Sequence, residues 1–161
     1  MSEILLIRHA VAGDRSRWDG ADPLRPLTDE GRRQARSLAD LFAGRPLAHL
    51  LSSPYVRCVQ TLQPLAAARG LAIETSDDLA EGRPWELVEK LALELAVDGP
   101  GAMCVHGDVM EALIDDLRER GVASERRHGA FAKGTTWILG VRDGSIVSAH
   151  HVAAPDGARS S

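Results

Sequence analysis

The stretch ILLIRHA, residues 4–10, runs four consecutive apolar residues straight into an arginine and a histidine. A short apolar run without alternation is the pattern of a strand covered on both faces, as in a mostly parallel sheet between helices. In open sheets of that kind, ligands bind beyond the carboxyl ends of the strands. Arg8 and His9 therefore stand where such a strand delivers chemistry.

Outward from this strand the hydrophobic period switches between strand-like and helix-like, which predicts an α/β fold. LTDEGRRQARSLADLFAG (27–44) reads as a helix, with Thr28 as its N-cap, Asp29 and Glu30 in its first turn and Gly44 at its end. LAHLLSS (47–53) is the next strand. SPYVRCVQTLQPLAAARG (53–70) is a helix capped by Ser53, started by Pro54 and ended by Gly70, with Pro64 expected to kink or break it. LAIET (71–75) is a strand and PWELVEKLALELAVDG (84–99) a helix. AMCVH (102–106) is a fourth strand and DVMEALIDDLRERG (108–121) the last helix. TTWILGVRDGSIVSAHHV (135–152) closes the domain as a hairpin turning at RDGS. The expected organisation is one domain over residues 1–154, a three-layer α/β/α sandwich on a mostly parallel sheet, with 155–161 a frayed tail.

Bulk properties limit the functions worth weighing. The 161 residues carry a formal net charge of −4, which gives no global basic field for nucleic acid. No stretch approaches the roughly 18 apolar residues of a membrane span, and no leader pattern opens the chain, so a cytoplasmic location is expected. Two cysteines, Cys58 and Cys104, are too few for a disulfide framework and read as buried thiols. No Cys/His spacing signals a zinc site, and neither a metal nor a cofactor is expected. Lys90 and Lys133 are the only lysines, so an anion bound by this chain meets mostly guanidinium forks.

Three strand ends carry unusual residues. Arg8 and His9 follow the first strand, and His106 follows AMCV. Arg57 lies in the first turn of the helix after LLSSP. Two arginines and two histidines converging on one sheet edge repel one another unless an anion joins them, and arginine pairs bidentately with phosphoryl oxygens.

LLIRHA, PLTDEGRRQA, LLSSPYVRCVQT and CVHGDV, in that order and spacing, resemble the histidine phosphatase superfamily, the phosphoglycerate-mutase-like fold. The resemblance implies a metal-independent phosphatase acting on a phosphomonoester or a protein phosphohistidine through a covalent phospho-His9 intermediate. It makes Arg8 and Arg57 the phosphate clamps, His106 the second pocket histidine and Gly107 a neighbour of the substrate. Glu81 has the best match to the general acid, ahead of Glu86 and Asp78. A nucleophilic imidazole must be neutral; neighbouring cations favour that form, and a bond from its other nitrogen to a backbone carbonyl fixes the tautomer.

The familiar glycine after the nucleophile is Ala10 here, a methyl that is expected to narrow the pocket floor. Arg15, Arg17 and Arg25, in the charged loop that follows, either extend the anion site or form a solvated surface; Arg15 and Arg25 are the substrate-binding candidates. Trp18 in the same loop is a candidate substrate contact. The short link between the third and fourth strands resembles the compact SixA-type phosphohistidine phosphatases. AGDRSRW, RPLT and KGTTWIL also resemble the phosphatase half of two-domain Nudix-phosphatase proteins, without a Nudix half in these residues. Expected partners are a phosphorylated protein or a small phosphate ester, with a nucleotide or sugar phosphate phosphatase as the alternative and a non-catalytic phosphate-binding module as the third reading.

Overall fold

The computed structural model describes residues 1–124 and 127–157. In chain order the elements are β1 (Ser2–Arg8), α1 (Asp29–Leu41), β2 (His49–Ser52), α2 (Val56–Arg69), β3 (Ile73–Thr75), α3 (Trp85–Val97), β4 (Gly101–Val105), α4 (Gly107–Glu119), β5 (Thr136–Arg142) and β6 (Ser145–Val152). Single turns of 3-10 helix lie at Arg15–Arg17, Asp22–Leu24 and Asp77–Leu79. The sheet has the order β3-β2-β4-β1-β5-β6; β3, β2, β4 and β1 pair in parallel and the hairpin β5–β6 is antiparallel.

The apolar run in β1 is explained by its central place. Ile4 and Leu6 face one side, with Met103 and Val105 of β4 and Val88, Ala92, Met110 and Leu113 of α3 and α4. Leu5 and Ile7 face the other, with Ala102, Cys104 and the buried residues Leu38, Leu62 and Leu65 of α1 and α2. All four β1 side chains are at most 1% exposed, each contributing roughly 1.5–3 kcal/mol by burial. Helices on both faces of a largely parallel sheet make the three-layer α/β/α architecture.

Local signals work as read in most elements. Thr28 Oγ1 accepts from Gly31 N at 3.1 Å, capping α1. Gly70 ends α2 in the left-handed conformation. The hairpin turns at Asp143 and Gly144, both at positive φ, as a tight two-residue turn requires. Three local expectations are corrected. Pro64 does not break α2, which runs on to Arg69 with Leu62, Leu65 and Ala66 buried on either side of the proline. Ser53 and Pro54 precede α2, which starts at Val56, and the Ser53 hydroxyl is used elsewhere. Pro155–Gly157 lie along α1: Gln34 Nε2 donates to Pro155 O at 3.1 Å, Ser37 Oγ to Asp156 O at 3.4 Å and Arg33 Nε to Gly157 O at 2.5 Å. The remainder of the expected tail, 158–161, lies outside the described residues. Among the described residues, no helix is long and apolar enough to cross a membrane.

Candidate active site

The sheet order assembles the site. β4 lies between β1 and β2, with Arg8 opposite Val105 and Ser52 opposite Cys104. His9 N donates to Val105 O at 3.1 Å and Ser53 N to Cys104 O at 3.0 Å. Three adjacent parallel strands thus end together, and their next residues are His9, His106 and Ser53. Arg57 follows in the first turn of α2. The imidazoles of His9 and His106 meet edge to face, centroids 5.5 Å apart.

His9 is 5% exposed and its Nδ1 lies 2.8 Å from Ala10 O. A carbonyl can only accept, so Nδ1 holds the hydrogen and, in the neutral ring, Nε2 holds the lone pair. Burial, followed by the nearby His106, Arg57 and Arg8, pushes His9 down to about 3, despite the raising effect of the Ala10 bond. His9 is therefore an unprotonated, oriented imidazole at neutral pH. Ala10 N donates to Thr61 Oγ1 at 2.9 Å, and Thr61 Oγ1 donates to Arg57 O at 2.7 Å, joining the His9 backbone to the helix that carries Arg57. The Ala10 methyl does not line the cavity, contrary to expectation; it is buried in a small apolar cluster with Ala12, Leu27 and Ala35.

Around His9 lie buried donors with no partner: Arg8 Nε, Arg57 Nε and His106 Nδ1. Buried polar groups are normally satisfied, and three orphaned nitrogens beside one imidazole form a set of donors that suits an anion. Each of these residues is also held by other contacts. Arg8 Nη1 donates to Phe131 O at 2.5 Å. The Arg8 guanidinium lies against Gly107, where an added Cβ would be 2.6 Å from Cζ. Burial draws Arg8 below its ordinary value, against the pull of Asp108, Glu111 and Glu81. Arg57, 1% exposed, donates from Nη1 to Asp22 O at 3.0 Å and from Nη2 to Asp22 Oδ2 at 3.1 Å, with Glu81 Oε2 at 3.5 Å. Tyr55 stands between the two groups, its ring 4.8 Å from Arg57 Cζ and 4.7 Å from the His106 ring. His106 Nε2 bonds the Ser53 hydroxyl at 2.9 Å.

A cavity of about 480 Å³ opens from His9, lined by Arg8, Arg57, Gly107, Glu81, Arg15 and Arg25 among others. Its size suits a small ligand. Glu81, held by Arg15 Nη2 at 2.9 and 3.0 Å, is at the cavity; the adjoining Gly82 N donates to Asp108 Oδ2 at 2.8 Å and fixes the turn. Arg25 lines the cavity but spends Nε on Asp22 Oδ1 at 3.0 Å and Nη1 on Gly13 O. Trp18 does not line it; the indole Nε1 donates to Ala21 O at 3.0 Å.

The structure thus brings together His9, Arg8, Arg57, His106, Gly107, Glu81, Arg15 and Arg25. Sequence reading missed Asp22, Ser53, Tyr55, Thr61 and Asp108. Asp22 carried a signal: a carboxylate in an arginine-rich loop has cations to pair, and it pairs Arg15 at 3.4 Å as well as Arg25 and Arg57. Among the described residues, no group of three or more His, Cys, Asp or Glu is placed to hold a metal ion.

Residues 4–95 match the family described as the histidine phosphatase superfamily, branch 1. The chain belongs to this superfamily. As a histidine phosphatase superfamily member it is 34% identical, over 157 residues, to the 8-oxo-(d)GTP phosphatase of Mycolicibacterium smegmatis, covering 95% of this chain and 48% of that protein. The chain spans about half the length of that relative. Among solved structures, the protein histidine phosphatase SixA complexed with tungstate aligns with a TM-score of 0.75 over 96% of this chain and 97% of its own, at 18% identity. The putative phosphohistidine phosphatase SixA of Agrobacterium tumefaciens aligns at 0.70 over 86% and 90%, at 25% identity. These superpositions carry the phosphoglycerate-mutase-like fold.

Proposed function

We propose that this superfamily member is a phosphatase that works through a covalent phospho-His9 intermediate without a metal. The observation that carries the reading is the set of buried, unpartnered donors on Arg8, Arg57 and His106 around the neutral, oriented His9.

In the first step His9 Nε2 forms a bond to phosphorus as the bond from phosphorus to the leaving oxygen breaks. Arg8 and Arg57 hold the equatorial oxygens as charge spreads over them. With Ser53 donating its hydroxyl hydrogen to Nε2 of His106, the His106 Nδ1–H is left to donate to a phosphoryl oxygen. Glu81 gives a proton to the leaving oxygen. In the second step Glu81 takes a proton from water, the water oxygen attacks phosphorus, and the bond to His9 breaks to release phosphate.

Two substrate classes fit an open cavity of this size. The relative that matches nearly the whole chain acts, by its name, on a nucleotide, which favours a small phosphate compound. The SixA structures, at 18 and 25% identity, keep protein phosphohistidine as the second reading.

The test is turnover of p-nitrophenyl phosphate in excess EDTA, with acid-quenched protein assayed for phosphohistidine. Wild type is expected to turn over and to trap label, and His9→Ala to do neither. Inactive wild type, or turnover lost to EDTA, overturns the mechanism. Release of phosphate from a nucleotide panel and from a phosphohistidine protein then ranks the substrate classes.

A further inference from the structure

Lys133 belongs to none of the motifs that identify the site, yet it lines the cavity with Arg8, Arg15, Arg25 and Arg57. Its main chain is sewn to the nucleophile segment. Gly134 N donates to His9 O at 3.0 Å and to Arg8 O at 3.1 Å, and Arg8 N donates to Thr135 O at 2.9 Å. Gln34, buried in α1, donates from Nε2 to Lys133 O at 2.9 Å and accepts from Val11 N at 3.1 Å. Gly134 holds φ +82°, and a Cβ there would lie 2.4 Å from the Gln34 carboxamide, so this arrangement admits only glycine. The long side chain of Lys133 thus starts from a fixed root beside His9.

The other cations of the cavity have acceptors. Arg15 has Glu81 and Asp22, Arg25 has Asp22 and Gly13 O, Arg57 has Asp22 and Glu81, and Arg8 has Phe131 O. Among the described residues, no hydrogen bond or ion pair to the Lys133 ammonium is found. Burial first, then Arg8, Arg25 and Arg57, draw Lys133 below its ordinary value, with Asp14 opposing. An ammonium without a partner beside three guanidiniums, opposed by Asp14, is stabilised when a further negative charge arrives.

Depth decides which charge that is. The orphaned donors of Arg8, Arg57 and His106 are buried, whereas Lys133 lines the same cavity from an exposed position. In-line displacement sends the leaving group away from His9 Nε2, so the cavity beyond the phosphoryl group receives it. A diphosphate offers one phosphoryl group to the buried donors and a second to the exposed ammonium.

Resting on the phosphatase reading, we infer that Lys133 is a specificity-determining residue that binds a second phosphate on the leaving group, so that the preferred substrate presents a terminal phosphoryl of a diphosphate. The bond from phosphorus to the bridging oxygen then breaks as the bond to Nε2 forms. The bridging oxygen keeps the electron pair, and Lys133 meets its charge.

The test compares ADP, losing its terminal phosphoryl, with AMP, which has the same base and ribose. Lys133→Gln is expected to lower the ADP-to-AMP ratio of kcat/KM about tenfold, and Lys133→Arg to preserve it. Equal losses on both substrates, or none on either, overturn the inference. Should Lys133→Gln fail to fold by circular dichroism, the wild type decides: kcat/KM must fall more steeply with ionic strength for ADP than for AMP, and equal slopes refute it. If p-nitrophenyl phosphate is not turned over at all, the phosphatase reading itself fails. Calorimetry then still decides the subsite, which requires wild type to bind pyrophosphate more tightly than phosphate and Lys133→Gln to narrow that preference; no preference in wild type refutes it.

Discussion

Gly107→Ala isolates the clamp from the fold. An added Cβ would lie 2.6 Å from Arg8 Cζ, 2.8 Å from Nε and 2.9 Å from Nη2, where ordinary contact starts at 3.4 Å. The guanidinium must retreat by about 1 Å, a misplacement that costs a positioned group about hundredfold in rate. Retreat is opposed by the Arg8 bond to Phe131 O, so the new methyl cannot be absorbed by a free side-chain swing. Helix propensity works the other way: alanine in place of glycine in a helix is favoured by at most about 1 kcal/mol. The variant is expected to melt at or slightly above the wild-type temperature while kcat/KM for p-nitrophenyl phosphate falls about hundredfold and inhibition by free phosphate weakens. Thermal melts followed by circular dichroism and steady-state kinetics read the two separately. A folded Gly107→Ala protein with wild-type kcat/KM would show that Arg8 does not grip the phosphoryl group where the structure places it.

The low value of His9 also couples to stability. As pH falls below the ordinary 6.5, the unfolded chain takes up the His9 proton while the folded one resists until about 3. Stability from this group is intact above that window and is lost within it at about 1.4 kcal/mol per pH unit. Urea unfolding of wild type and His9→Asn between about pH 6 and pH 4 should give a shallower decline in the variant, and parallel declines would contradict the burial of a neutral ring. Ser53→Ala leaves His106 Nε2 with Cys58 Sγ at 3.6 Å as its remaining contact, and should cost about 1–3 kcal/mol in chemical denaturation; a loss under about 0.5 kcal/mol would mean the hydroxyl is dispensable. Glu81→Gln should slow release of poor leaving groups about hundredfold and of p-nitrophenol far less, whereas equal slowing counts against proton donation.

The fold was legible because the strongest signals are local. The run Ile4–Ile7 is apolar because β1 is an interior strand with helices on both faces. Thr28, Gly70 and the Asp143–Gly144 turn act through their own backbone. His9, Arg8, Arg57 and His106 were legible through their motifs, and register then brought them together. What sequence did not reveal is long-range. Ser53 looks like a helix cap, but its hydroxyl is taken by a histidine two strands' worth of chain away. Asp22 gains meaning only when three arginines from different turns meet it. Ala10 replaces a glycine harmlessly for the cavity because its methyl points into an apolar cluster that no local pattern announces. Pro155–Gly157 read as loose because they are small and polar, yet their carbonyls are acceptors for α1.

The interleaved order of β2, β4 and β1 has a consequence for how the candidate site is assembled. His9, Arg57 and His106 stand far apart in the chain and meet only when β4 has inserted between its two parallel partners. Closing such distant contacts is the slow part of building a parallel sheet. On the proposed phosphatase reading, turnover returning during refolding is expected to track insertion of β4.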